Sequence, residues 1–206
     1  LGLDHLKRTK FMSRIELEES LDFHLGPSFF LVTYHPVTLA DEPPESSFRE
    51  LLKALDRFPE YKVIITYPNA DDGGRKIIPL IEGYAEANPD RVLAIKSLGQ
   101  VRYLSALNLC SAVIGNSSSG IIEVPSFYRP TINVGARQKG RMAAPSILNC
   151  APQDDDIAKA ITDALSIEES ELERVINPYG DGQSCGKVLR MIRSADWSAL
   201  KTFHDL

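Results

Sequence analysis

The sequence predicts an α/β protein with a doubly wound, Rossmann-like parallel sheet. Short runs of β-branched and aromatic residues alternate along the chain with longer segments whose apolar residues keep helical spacing. This alternation is typical of parallel strands covered by helices on both faces, and right-handed crossovers make such a sheet doubly wound. Ligands of these sheets bind beyond the carboxyl ends of the strands. We therefore expect the functional residues directly after predicted strands.

The patterning predicts six strands and seven helices. Two of the helices begin with the spacing of a capping box, Ser13 with Glu16 and Ser47 with Glu50. The segments at 39–46 and 68–74 are predicted as loop and turn. Strands are predicted at residues 29–34, 62–67, 92–95, 112–115, 131–134 and 147–148. Helices are predicted at 17–25, 47–58, 77–84, 101–109, 118–127, 154–165 and 184–192.

The 206 residues are enough for one large domain. We expect a connector and helix at 1–26, the Rossmann-like domain at 27–193, and a tail at 194–206. The chain begins at Leu1 rather than methionine, so we expect it to be a piece of a longer protein.

Composition excludes several classes of function. The formal charge of −5 argues against broad nucleic-acid binding, which needs a basic face. The sequence has no apolar run long enough to span a membrane and no signal peptide at its start, so we expect a cytoplasmic protein without a membrane partner. The three cysteines match neither a disulfide framework nor a zinc motif.

The strongest local motif is the small-residue stretch from Gly115 to Gly120, between a predicted strand and a predicted helix. Small residues leave backbone N–H groups accessible, and the start of a helix favours an anion. The serine hydroxyls add further donors. The stretch lacks both the Walker lysine and the three spaced glycines of a dinucleotide fingerprint. It predicts either a phosphate site or a well-capped helix without a ligand.

Four other polar residues near strand ends are candidates for ligand binding. Glu123 can accept hydrogen bonds from a ribose diol, or it is a surface glutamate. Arg137 lies in a loop with Lys139 and Arg141, and its planar fork suits a diphosphate, although a solvated basic loop has the same sequence. His35 and Asn69 follow the first two strands, where either can bind a phosphate or serve structure alone.

Asp71 and Asp72 are weak evidence for a metal, since no third ligand accompanies them.

Taken together, the motifs resemble one family. They are His35-Pro36-Val37-Thr38, Pro68-Asn69-Ala70-Asp71, the Gly115 to Gly120 stretch with Glu123, the Gly135 to Arg141 loop, and Asn177 to Gly182. In this order they resemble the C-terminal domain of the hydrolysing UDP-N-acetylglucosamine 2-epimerases of sialic and related nonulosonic acid biosynthesis. The resemblance implies the C-terminal half of a glycosyltransferase-B-type enzyme with two Rossmann-like domains.

The resemblance also implies roles for individual residues. Ser117 and Ser118 would bind the diphosphate of a UDP-sugar, and Glu123 would bind the ribose hydroxyls. Arg137 and His35 would lie at the nucleotide and its phosphates, and Asn69 would line the cleft. The family eliminates UDP across C1–C2 of the sugar and then adds water, a scheme that needs no metal or redox cofactor.

The resemblance implies that the catalytic acids lie in an N-terminal half absent from this sequence, so we expect this chain to bind but not to turn over. The resemblance leaves the sugar open between N-acetylglucosamine and a 2,4-diacetamido sugar. Two alternatives to the family's activity also stay open: a glycosyltransferase of the same architecture, which product analysis would reveal, and a stand-alone nucleotide-sensing module, which a start codon near Leu1 would favour. Trp197, Leu200 and Phe203 form an apolar stripe, from which we expect either a homodimer or a mobile tail.

Overall fold

The structure is a computed structural model that describes residues 3–37, 43–69 and 73–195. It contains the predicted parallel sheet, with six strands in the order β3-β2-β1-β4-β5-β6 and every neighbouring pair parallel. None of the helices in the described ranges has the length and apolar character needed to cross a bilayer. The strands are β1 (Phe29–Thr33), β2 (Lys62–Thr66), β3 (Val92–Ile95), β4 (Ala112–Gly115), β5 (Thr131–Val134) and β6 (Ile147–Cys150).

The helices lie on both faces of this sheet, as predicted. Their ranges are α1 (Arg14–Leu21), α2 (Pro44–Asp56), α3 (Gly74–Ala87), α4 (Gly99–Leu109), α5 (Ser118–Ile122), α6 (Asp154–Leu165), α7 (Glu169–Leu172) and α8 (Ser184–Ser194), with a 3₁₀ turn at Val124–Phe127. The short helix α7 was not predicted.

Alternating side chains of β1 divide the core into two layers. Phe30 and Val32 point to the layer that contains α2, α3 and α6. Phe29 and Leu31 point to the other layer, which contains α1, α4 and the 3₁₀ turn. Successive side chains of a strand face opposite sides of a sheet, and all five residues of β1 are buried, so its first four residues are apolar on both faces and only Thr33, at its carboxyl end, is polar.

Several predicted helix ends differ from the structure; α1, for example, ends at Leu21 and not at Leu25, because Asp22 adopts a left-handed φ of 49°. Two further differences have a clear physical cause. The first is the start of α2, which begins at Pro44 and leaves Ser47 and Glu50 inside the helix, so they do not form a capping box. Proline is well suited to a first helical turn because its fixed φ fits the helix and its missing N–H would have no partner there. Glu50 instead accepts hydrogen bonds from Lys53 Nζ at 2.6 Å and from the Asp154 N–H at 3.3 Å.

The second is the helix predicted at 118–127, which ends at Ile122 and continues only as the 3₁₀ turn. Pro125 has no N–H to donate to the carbonyl of Ile121, so the α-helical pattern cannot continue through it. The capping box of Ser13 and Glu16 at α1 is confirmed, with both of its hydrogen bonds formed.

The first described residues contact the start of α8, and the segment before α8 contacts the end of α5 and the 3₁₀ turn. The Asp4 carboxylate accepts hydrogen bonds from the N–H groups of Ser184, at 3.0 Å, and Cys185, at 2.6 Å, and so caps the start of α8. The Asn177 side chain donates to the Ile122 carbonyl at 2.8 Å and to Ser126 Oγ at 2.7 Å. The predicted stripe of Trp197, Leu200 and Phe203 lies outside the described residues.

Candidate functional site

The polar residues singled out in the sequence gather where β1 and β4 lie side by side. The chain runs outward from β1 in one direction through β2 and β3, then returns to β4 on the other side. This reversal is the topological switch point, where ligands of doubly wound sheets bind. The backbones of β1 and β4 approach each other very closely here. A Cβ on Gly115 would lie 2.0 Å from the Thr33 carbonyl oxygen, and Gly115 has a φ of +137°, so only glycine fits.

A buried amide, Asn116, fastens the ends of these two strands together. Its Oδ1 accepts from the His35 N–H at 2.7 Å, and its Nδ2 donates to the His35 carbonyl at 2.8 Å. The Asn116 side chain is fully buried, so both hydrogen bonds are shielded from water. Its own carbonyl accepts from Arg137 Nη1 at 3.1 Å and from Gln138 Nε2 at 2.8 Å. Asn116 therefore joins three of the loops that follow strands.

His35 and Asn69 come together in the structure. The Asn69 N–H donates to His35 Nδ1 at 3.3 Å. Because Nδ1 acts as the acceptor, the neutral ring carries its proton on Nε2. His35 is buried while Asn69 is exposed, so the histidine is fixed and the asparagine side chain faces outward.

These residues form one wall of a cleft of about 470 Å³ above the ends of β1, β2 and β4. Ser117 and Ser119 contribute hydroxyls, and a buried pair, Thr33 and Thr66, closes the floor with their hydroxyl oxygens 2.7 Å apart. The segment from Lys96 to Gln100 supplies the opposite wall. Sequence reasoning missed that segment, because it begins with an exposed Lys-Ser pair that carries no motif.

The two predicted phosphate-binding serines occupy different positions. Ser117 is the N-cap of α5, and its Oγ accepts from the Ser119 N–H at 3.4 Å. Ser118 is the first residue of the helix and is not among the residues that line the cleft.

Glu123 directly follows α5 and takes part in a series of hydrogen bonds. Its Oε2 accepts from Ser119 Oγ, which in turn accepts from the Tyr103 hydroxyl at 2.7 Å. Its Oε1 lies 3.7 Å from Nε2 of His5. The sequence assigned no role to His5 or Tyr103, because nothing in the local pattern connects them to Glu123.

The cationic loop divides between two places. Arg137 is exposed and reaches back to Asn116, whereas Lys139 and Arg141 line a second cleft of about 480 Å³ beside β5 and β6. A larger cleft of about 630 Å³ lies among residues 3–11, 125–128 and 175–187, and it contains none of the predicted site residues.

No group of three or more metal-ligating side chains occurs within residues 3–37, 43–69 and 73–195. The weak metal candidates, Asp71 and Asp72, lie outside these ranges.

Comparison with known proteins identifies the family. The family model for UDP-N-acetylglucosamine 2-epimerase matches residues 1–193. The chain belongs to the UDP-N-acetylglucosamine 2-epimerase family. The resemblance predicted from the motifs is therefore confirmed at the level of the family.

Curated relatives of this 2-epimerase family member match it over part of their own length. A GDP/UDP-N,N'-diacetylbacillosamine 2-epimerase (hydrolyzing) of Campylobacter jejuni is 37% identical over 74% of this chain and 40% of its own. The polysialic acid biosynthesis protein P7 of Escherichia coli is 32% identical over 86% of this chain and 45% of its own. The chain thus spans about half the length of these relatives or less.

Solved structures share the fold of this family member. A structure of S. aureus MnaA with UDP superposes with a TM-score of 0.69 at 18% identity, over 93% of this chain and 52% of that one. A UDP-GlcNAc 2-epimerase from Neisseria meningitidis, bound to UDP-GlcNAc, gives 0.63 at 13% identity, over 88% and 48%. At these identities the likeness establishes the Rossmann-like architecture.

Proposed function

We propose that this chain is the nucleotide-binding, C-terminal half of a hydrolysing UDP-N-acetylglucosamine 2-epimerase. The observation that carries the proposal is the polar cleft at the switch point, where Asn116 fastens the ends of β1 and β4 together, in a chain matched to this family. The comparison structures with UDP and UDP-GlcNAc support a UDP-sugar as the ligand class.

The proposed roles follow the chemistry of each group. Ser117, Ser118 and Arg137 bind the diphosphate, because hydroxyl and guanidinium donors suit phosphate oxygens. His35 donates from Nε2 toward the phosphates, with its ring oriented by the Asn69 N–H. Glu123 accepts hydrogen bonds from the ribose hydroxyls.

The reaction proposed for the whole enzyme is elimination of UDP from the sugar, followed by addition of water to give the 2-epimer. Elimination leaves a UDP anion, so oriented donors and a cation at the diphosphate stabilise the leaving group. Removal of the C2 proton needs a positioned base, which we assign to the half of the protein outside this sequence. The chain alone is then a binding unit without turnover.

The exposed face of α8 supports a missing partner domain. None of the residues of this helix is buried, and the exposed Val188, Leu189, Met191 and Ile192 form an apolar stripe along it. Large apolar patches mark surfaces that another domain or subunit covers. We propose that the absent N-terminal half, or a second copy of the chain, lies against this face.

The sugar is N-acetylglucosamine or a 2,4-diacetamido sugar. The Campylobacter relative is named for N,N'-diacetylbacillosamine, which favours the diacetamido class. Product analysis of the complete enzyme decides between the two sugars. The same analysis separates an epimerase, which releases free sugar and UDP, from a glycosyltransferase, which passes the sugar to an acceptor.

The binding role is tested by thermal unfolding of the 206-residue chain with UDP, using ADP as the comparison nucleotide. A ligand that binds only the folded state at about 100 times its Kd adds about 2.7 kcal/mol of stability. We expect a shift with UDP that exceeds the shift with ADP, and we expect Arg137→Ala and Ser117→Ala to remove it.

Matched variants separate binding from stability. Ser117→Ala removes an N-cap and costs about 1 kcal/mol by itself, so each variant is compared with its own ligand-free state. Ser13→Ala removes the N-cap of α1, away from the cleft, and should keep the UDP shift. Arg174→Ala is the corresponding control for Arg137. Equal shifts with UDP and ADP, retained in both site variants, would contradict the proposal.

A further inference from the structure

The hydrogen-bond chain that ends at Glu123 has one possible direction. An ionised carboxylate only accepts hydrogen bonds, so Ser119 donates its single hydroxyl proton to Glu123 Oε2. Ser119 Oγ can then only accept from Tyr103, which donates across 2.7 Å. Burial raises the pKa of the Tyr103 hydroxyl, which keeps it protonated and able to donate at any physiological pH. The order is therefore Tyr103 to Ser119 to Glu123.

This series of hydrogen bonds connects a core helix, α4, through the cleft-lining Ser119 to Glu123. Tyr103 lies on α4, and its neighbour Leu104 is fully packed into the core layer beneath. Both Tyr103 and Ser119 line the cleft described above. Glu123 directly follows the short helix α5, and its other carboxylate oxygen, Oε1, lies 3.7 Å from Nε2 of His5. Glu123 is not itself among the residues that line the cleft, and the hydroxyls of Tyr103 and Ser119 fix its carboxylate relative to that lining.

A carboxylate that is held before the ligand arrives binds a diol more tightly than a mobile one. A glutamate loses side-chain conformational entropy when it is ordered. When the protein itself orders the group, ligand binding does not carry that cost. Oε2 is engaged by Ser119, which leaves the remaining acceptor sites of the carboxylate oriented in a fixed plane.

We propose that Tyr103 and Ser119 are positioning residues that orient Glu123 for recognition of the ribose diol, and so set the preference of the site for ribonucleotides over deoxyribonucleotides. This inference rests on the proposed function, in which Glu123 binds the ribose. It assigns a role to two side chains that do not themselves form the diol contact.

The test is the ratio of affinities for UDP and 2′-deoxy-UDP, measured by isothermal titration calorimetry on the 206-residue chain. We expect the wild type to prefer UDP by about tenfold, the usual effect of one hydrogen bond to a charged group. Tyr103→Phe removes only the hydroxyl, and we expect it to reduce that ratio several-fold while 2′-deoxy-UDP binds almost as before. A general loss of structure would weaken both nucleotides equally and leave the ratio unchanged.

A matched tyrosine and a double substitution sharpen the result. Tyr84 on α3 also donates to a carboxylate, Asp56, at 2.7 Å, and it is not among the residues that line the cleft. We expect Tyr84→Phe to keep the wild-type ratio. Ser119→Ala should reproduce the effect of Tyr103→Phe, and the double variant should be no worse than either single one, because the two hydroxyls act in series.

The outcomes distinguish this inference from the function on which it rests. If Glu123→Ala loses the preference for UDP while Tyr103→Phe and Ser119→Ala keep it, the positioning role is wrong and the ribose contact stands. If the wild-type chain binds neither nucleotide, the proposed binding function and the positioning role both fail.

Discussion

Asn116 determines how the site is assembled, although the sequence gives no indication of its role. It belongs to the small-residue stretch that predicted a phosphate site, yet its side chain serves the protein and not a ligand. Its partner His35 is 81 positions earlier in the chain. Only the adjacency of β1 and β4 brings the two together, so no local pattern could reveal the contact.

Gly115 gives a direct test of this close approach. Gly115→Ala places a methyl group against the Thr33 carbonyl at a φ that L-residues avoid, so we expect a loss of about 3 kcal/mol or more in unfolding free energy. Urea denaturation measures it. Gly83→Ala is the control, since Gly83 lies in α3 with nothing near its Cβ position. That change should stabilise by about 0.5–1 kcal/mol. Equal effects would contradict the steric explanation.

The other candidate residues could be predicted individually but not as a set. The sequence predicted His35, Asn69, Ser117 and Arg137 from their places after strands, and the structure joins His35, Asn69 and Arg137 around Asn116. Their roles toward a ligand stay predictions. The contact between Tyr103 and Ser119 could not be predicted from the sequence, because it depends on how α4 packs beside α5.

At the scale of elements, strands were easier to predict than helix ends. The bounds of β3, β4 and β5 match the prediction at both ends because short β-branched runs are bounded by turn residues. The start of α2 was wrong because a serine followed three residues later by a glutamate also occurs inside helices. Pro44, with its fixed φ, provides the actual first turn.

Helix α8 is capped by a residue distant in the sequence. The Asp4 carboxylate accepts from the first N–H groups of the helix, and these hydrogen bonds, from Cys185 and then Ser184, hold the pKa of the Asp4 carboxyl well below its ordinary value of 3.8. We expect Asp4→Asn to lower the hydrogen-exchange protection of α8 amides on the order of tenfold at pH 7. Asp22→Asn, at the far end of α1, should leave α8 protection unchanged.

The sign of the pH dependence follows from the lowered pKa. A carboxyl group that is more acidic in the folded state contributes its full stabilisation above its unfolded pKa, and the contribution declines as the pH falls toward the folded value. The ratio of α8 protection factors between wild type and Asp4→Asn should therefore be largest near neutral pH and should shrink below about pH 4. A ratio that stays constant from pH 7 to pH 3 would show that the charge of Asp4 is not what holds the helix.

At the scale of the whole molecule, the apolar stripe of α8 is the main exposed hydrophobic surface on a regular element. Met191 is 70% exposed, and Val188, Leu189 and Ile192 are each more than 40% exposed. We expect the isolated chain to self-associate through this surface, as large apolar patches do in water. Sedimentation velocity at increasing concentration measures the association.

The variant Met191→Ser with Ile192→Ser should shift the chain toward the monomer. The control is Ile15→Ser with Ile176→Ser, because those residues are 67% and 84% exposed but lie elsewhere in the sequence. Monomers at every concentration in the wild type would contradict the prediction, as would an equal effect of both double variants.

The central position of β1 has a consequence for how the molecule folds. β1, β2 and β3 pair in chain order, but β1 must also pair with β4, where Phe30 meets Ala112 after a loop of about 80 residues. Closing so long a loop costs chain entropy before the contacts on its far side can compensate, and sheets dominated by such pairings fold slowly. We therefore expect the pairing of β1 with β4, beyond whose carboxyl ends the cleft lies, to form late in folding, so that substitutions at this pairing change the folding rate as well as ligand binding.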